Sequence, residues 1–123
     1  MSEKKAVLVV DDSRVSRMMI KAIIADTRPN WEIQEAGSGD EALTLLEDIL
    51  HIDLMILDYN MPGMDGLTLG KELKQKHPEA KIHLLTANIQ ESIRQKANKA
   101  GVAFVKKPIT EEKIVDILSS VES

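Results

Sequence analysis

Ala6-Val7-Leu8-Val9-Val10 runs apolar without a break and stops at Asp11-Asp12-Ser13. A run this short has the length of a strand, and apolar residues at every position mark a strand covered on both faces. The same figure recurs further along the chain: Leu54–Leu57 ends at Asp58, Ile82–Leu85 ends at Thr86, and Val102–Val105 leads into Lys106-Lys107. Trp31-Glu32-Ile33-Gln34-Glu35-Ala36 alternates instead, as a strand at a sheet edge does. Amphipathic stretches separate these runs, and their spacing predicts helices over about Arg14–Thr27, Gly39–Leu50, Gly66–Lys76, Gln90–Ala100 and Glu111–Val121. In the last of them Ile114, Ile117, Leu118 and Val121 form one stripe. Ser13 and Thr110 read as N-caps, and Glu111 and Glu112 suit the positive end of the helix that Thr110 opens. Strand and helix alternate five times, which predicts an α/β fold: a five-stranded parallel sheet doubly wound with five helices.

With 123 residues the chain has the size of one domain, 1–123, and one Phe, one Tyr and one Trp leave the core to Leu, Ile, Val, Ala and Met. The apolar fraction is 43% and the charged fraction 29%, ordinary for a globular protein. No stretch approaches the roughly 18 apolar residues of a membrane span. Only five apolar residues follow Met1–Lys5, too few for a signal peptide, and the absence of cysteine makes a cytoplasmic location the expectation. A net charge of −4, with sixteen Lys and Arg scattered along the chain, argues against nucleic acid as a partner.

In a parallel sheet the polar residues that follow the strands gather at one edge, so Asp11, Asp12, Asp58, Thr86 and Lys107 should converge. Taken singly, each is explained by the solvation of loops. Three neighbouring carboxylates repel one another, and a hard divalent cation such as Mg2+ relieves that conflict while leaving coordination positions for phosphate. A carboxylate can also serve as the nucleophile in phosphoryl transfer, with ammonium and hydroxyl donors neutralising the transferring group.

Val9-Val10-Asp11-Asp12-Ser13, Leu57-Asp58-Tyr59-Asn60-Met61-Pro62-Gly63-Met64-Asp65-Gly66, Leu85-Thr86-Ala87 and Lys107-Pro108 together resemble the receiver domain of two-component response regulators. The resemblance runs over almost the whole chain. It implies strand order 2-1-3-4-5, the order of chemotaxis receivers, with the site between the first and third strands. It implies Asp58 as phosphoacceptor, and Asp11, Asp12, Asp58 and the backbone carbonyl of Asn60 as Mg2+ ligands. It further implies Thr86 and Lys107 as phosphate partners, Phe104 as a switch residue, and a cis Lys107–Pro108 bond. Lys107 rather than Lys106 takes the role because it directly precedes proline. Asn60 and Asn88 sit where the family tunes water access. The implied donor is a histidine kinase or a histidine phosphotransfer protein. The receiver takes up the chain through Ser123, so the expected output is a separate protein, reached through the face of the fourth helix, fifth strand and fifth helix. Val115, Gln90, Glu91, Arg94 and Gln95 are candidate contacts there.

Other motifs carry less. Gly37-Ser38-Gly39-Asp40-Glu41-Ala42 fits G-x-G-x-x-A, but it follows the edge strand rather than the first, where a dinucleotide site belongs; it reads as a tight turn and helix start. His51, His77 and His83 show neither metal-ligand spacing nor acidic neighbours, and the six methionines read as core filler. A Mg2+-dependent phosphohydrolase of the haloacid dehalogenase type would also use an Asp nucleophile. It places a second Asp two residues on, where this chain has Asn60. A scaffold that binds partners without phosphorylation would not require all five polar residues.

Overall fold

The computed structural model describes residues 4–87 and 90–122, which leaves Asn88 outside. Its elements run β1 (Ala6–Val10), α1 (Arg14–Thr27), β2 (Glu32–Ala36), α2 (Gly39–Leu46), β3 (Leu54–Asp58), α3 (Gly66–Lys76), β4 (Lys81–Thr86), α4 (Glu91–Lys99), β5 (Ala103–Lys106) and α5 (Glu111–Ser119). The strands form one parallel sheet in the order β2-β1-β3-β4-β5, as expected.

Alternation within the apolar runs sorts their side chains into two layers. Leu8, Val10, Met55, Leu57, Ile82 and Leu84 pack with residues of α2, α3 and α4. Val7, Val9, Leu54, Ile56 and Leu85 pack with Ile20 and Ile24 of α1 and Ile114, Ile117 and Leu118 of α5. The continuous apolar runs of β1, β3 and β4 are thus the sequence of strands buried on both sides, whereas β5, at the sheet edge, leaves Ala103 exposed and Phe104 and Val105 half-buried. No helix among the described residues is long and apolar enough to cross a membrane.

Side-chain oxygens cap four of the helices. Ser13, Ser38, Asp65 and Thr110 accept from the backbone N–H groups of Ser16, Glu41, Thr68 and Lys113. The Gly37–Ala42 motif is accordingly a helix start: Ser38 caps α2, and the Glu41 carboxylate accepts from the Gly37 N–H at 2.9 Å.

The expected second helix is too long by four residues. After Leu46 the chain turns, because Ile52 must enter the core and Asp53 must tie the sheet together. The Asp53 carboxylate accepts from the Ala6 N–H at 2.9 Å and pairs with His51 at 2.8 Å. Leu50 is left 94% exposed, apolar periodicity without a core to meet. His51 therefore does have an acidic neighbour, and its role is structural. Two methionines also depart from the core-filler reading, since Met18 and Met19 are exposed on α1 while Met55 and Met61 are buried.

His83 is buried in β4 with no hydrogen-bond partner for Nδ1. Burial, with a smaller contribution from the charge of Lys81, pushes its pKa down to about 4. The folded state thus holds His83 neutral, while the unfolded chain takes up a proton near pH 6.5. Its contribution to stability is fully present above pH 6.5 and is lost as pH falls towards 4. Between pH 7 and pH 5 the urea-derived stability is expected to fall by about 2 kcal/mol through this residue. His83→Leu should remove that portion; an equal loss in both proteins would assign it elsewhere.

Candidate functional site

β1 and β3 are neighbours, so the residues that end them meet. Asp11, Asp12 and Asp58 each offer a carboxylate oxygen within 4.8 Å of the others. Asp11 and Asp58 are buried, at 1% and 4% exposure, and Asp12 is exposed. Asp11 is held from several sides. Its Oδ1 accepts from the Ser13 N–H at 2.9 Å, and its carbonyl accepts from Arg17 Nη1 at 2.6 Å. Arg17 also donates to Glu35 at 2.9 Å, and Lys21 pairs with the same carboxylate, so β2 braces the loop that carries the acidic pair. These two cations hold the Glu35 carboxyl below the usual carboxylate range. Nothing in the local sequence singled out Arg17, because its partner lies across the sheet.

Lys107 Nζ lies 2.9 Å from Asp58 Oδ1 and 3.9 Å from Asp11 Oδ2. Lys106 is exposed, and its carbonyl accepts from Lys113 Nζ at 2.7 Å, so of the two lysines it is Lys107 that lies at the carboxylates. The Lys107–Pro108 bond is cis. Thr86 ends β4 at 1% exposure, and its carbonyl accepts the Lys107 N–H at 2.8 Å. Asn60 is exposed in the loop after β3, and its N–H donates to Asp58. Beside it, Tyr59, Asn60, Met61, Pro62 and Asp65 line a pocket of about 370 Å3.

Phe104 is half-buried against the α3 and α4 layer. It pairs in register with Leu84, two residues before Thr86, so Thr86 and Phe104 share one face of the sheet. Of the other candidate contacts, Val115 is half-buried and Gln90, Glu91, Arg94 and Gln95 are exposed. Val15, Met18 and Met19, at 66%, 58% and 46% exposure, present an apolar patch on α1, the helix that follows the acidic pair.

The electrostatics of the cluster are compatible with a bound cation. Burial pushes the Asp58 carboxyl above its ordinary value, against the opposing hydrogen bond and charge of Lys107. Burial does the same to Asp11, opposed by the Ser13 N–H and reinforced by the charge of Asp58. Asp11 Oδ2 is buried without a hydrogen-bond partner. A buried carboxylate oxygen with no hydrogen bond, in a group of three carboxylates, fits a hard, oxygen-seeking cation of the Mg2+ type.

A family model described as the response regulator receiver domain matches residues 7–119. The chain is 37% identical to the chemotaxis protein CheY of Thermotoga maritima over 119 residues, which cover 95% of this chain and 97% of that one. It is 39% identical over 106 residues to the cyclic di-GMP phosphodiesterase response regulator RpfG of Xanthomonas campestris, and there it spans only 28% of the relative's length. Among solved structures it superposes on CheY4 of Vibrio cholerae with a TM-score of 0.86 at 28% identity, covering 97% of this chain and 99% of that one.

Proposed function

The chain belongs to the response regulator receiver domain family, and from that premise we propose that it accepts a phosphoryl group on Asp58 and changes its affinity for a separate protein partner. Receiver domains of this kind are signalling modules that work with histidine kinases or phosphotransfer proteins. The observation that carries the reading is Asp58 itself: a buried carboxylate at a strand end, 2.9 Å from an ammonium and beside two further carboxylates.

The chemistry follows from the groups. A carboxylate oxygen of Asp58 attacks the donor phosphorus; the new P–O bond forms as the bond to the donor's nitrogen or oxygen breaks, and the leaving group departs with that electron pair. Lys107 neutralises charge on the phosphoryl oxygens as a compact ammonium on a flexible stem. Thr86 supplies a hydroxyl donor. Asp11, Asp12, Asp58 and the carbonyl of Asn60 would hold Mg2+, which supplies charge neutralisation between the carboxylates and the phosphoryl oxygens. A donor that reaches Asp58 covers the start of α1, and the patch of Val15, Met18 and Met19 suits that contact.

The message is proposed to travel along one sheet face. The phosphoryl group brings roughly two negative charges, which draw Thr86 towards it. Space opens in the α4 layer, Phe104 turns into it, and the surface of α4, β5 and α5 changes. A shift from 1:99 to 99:1 requires about 5.5 kcal/mol of differential stabilisation. Beryllofluoride, a phosphate mimic, should therefore move the NMR signals of Thr86 and Phe104 together; unmoved signals from either would remove this route.

Acetyl phosphate tests the function directly. With Mg2+ present, intact mass should show one phosphoryl adduct that maps to Asp58 and fails to form under chelation. Repeated turnover without an adduct would favour the phosphohydrolase, and neither adduct nor turnover would favour the scaffold.

A further inference from the structure

Four of the sixteen basic residues gather in one place. Lys71, Lys74 and Gln75 of α3 face Lys96 and Lys99 of α4 and its C-cap residue Ala100 across a groove of about 360 Å3. Both walls use the spacing i, i+3, i+4, which lines residues up along one face of a helix. Among the described residues no carboxylate pairs with any of the four lysines. Lys74 donates to the carbonyl of Ala80 at 2.9 Å, and the other three are exposed. In a chain of net charge −4 this is a local reversal of sign, and the two facing rows repel each other until negative charge lies between them.

The shape of the groove selects the class of ligand. A compact anion is gripped by donors that converge on one point, several of them fixed by the backbone or by burial. Here Lys71, Lys96 and Lys99 are exposed on flexible stems along two facing helices, only Lys74 is tied to the backbone, and the stems add apolar wall. Two rows suit an extended ligand with negative charges distributed along its length. We propose that the groove between α3 and α4 docks an acidic peptide segment of a partner protein, its carboxylates meeting Lys71 and Lys74 on one side and Lys96 and Lys99 on the other. Only Ala97 of α4 is buried, so that wall can adjust to a guest. The lining residues of this groove are distinct from those of the acidic site.

The probe is a short fluorescein-labelled poly-glutamate peptide, titrated by anisotropy against the full chain at low salt. Binding is expected, weakening as salt rises, with NMR shifts concentrated on the groove residues of α3 and α4. The double variant Lys71→Glu/Lys96→Glu should bind at least roughly tenfold more weakly, whereas Lys4→Glu/Lys76→Glu, with the same change in net charge off the groove, should stay within about twofold of wild type. Equal urea midpoints for the two double variants separate loss of binding from loss of fold. The proposal is overturned by an absence of peptide binding or by equal weakening in both double variants. It is also overturned if a single-stranded oligonucleotide or anionic phospholipid vesicles bind more tightly than the peptide at the same salt.

Discussion

Asp58→Asn is expected to abolish the phosphoryl adduct and, in the same sample, to raise the urea midpoint of the metal-free protein at pH 7. The first effect follows because an amide oxygen is neutral and does not act as the nucleophile towards phosphorus. The second follows from the cost of the charge. Burial raises the Asp58 carboxyl, although the hydrogen bond and charge of Lys107 pull the other way. A raised folded pKa means that stability is greatest at acid pH, where the group is protonated, and is lost as pH rises through the folded value. At pH 7 the wild type holds a carboxylate that the fold disfavours, and asparagine removes that charge with little change of shape. The gap between the two proteins should therefore close as pH falls through the carboxylate range. It should also narrow when Mg2+ is added, because only wild type gains the full stabilisation of a bound cation. A variant less stable than wild type at pH 7 without metal would show that the ion pair with Lys107 outweighs burial.

The same trade of stability for chemistry decided what could be read from the sequence. The strand ends were legible because one signal, an apolar run closed by a polar residue, fixes both the element and the place where its polar side chain emerges; Asp58 and Thr86 duly close β3 and β4. Lys107 was legible only through the proline that follows it. The end of α2 was not legible, since Leu50 continues the helical periodicity while the demand that stops the helix comes from Ile52 and Asp53, which serve other strands. Arg17 and the groove lysines were hidden for a related reason. Their significance lies in partners brought near by the sheet order and by the packing of α3 beside α4, and no local pattern encodes that proximity. Met18 and Met19 look like core residues by type, yet they lie on the outer face of α1.

Two glycines on α3 carry the argument from site back to fold. At Gly66 a Cβ would lie 2.2 Å from the carbonyl oxygen of Asp58 and 2.7 Å from Leu84 Cδ1. The first of those atoms belongs to the backbone of Asp58 and cannot swing aside, so α3 or the end of β3 must move. Gly66→Ala is expected to destabilise the protein by about 3 kcal/mol or more, the upper range for overpacking a close-packed contact. Four residues on, a Cβ at Gly70 would meet Leu57, Val102 and Ile82 at 3.5 to 3.7 Å, ordinary contact distances. There the gain in helix propensity prevails, and Gly70→Ala is expected to stabilise by roughly 0.5–1 kcal/mol. Urea unfolding of the two variants should thus give opposite signs for one substitution in one helix. The adduct assay distinguishes them again: Gly70→Ala should phosphorylate as wild type does, whereas Gly66→Ala should be slow even where it is fully folded, because relief of the clash displaces Asp58 from Lys107. A Gly66→Ala protein with normal phosphorylation would mean that α3 yields and the strand does not.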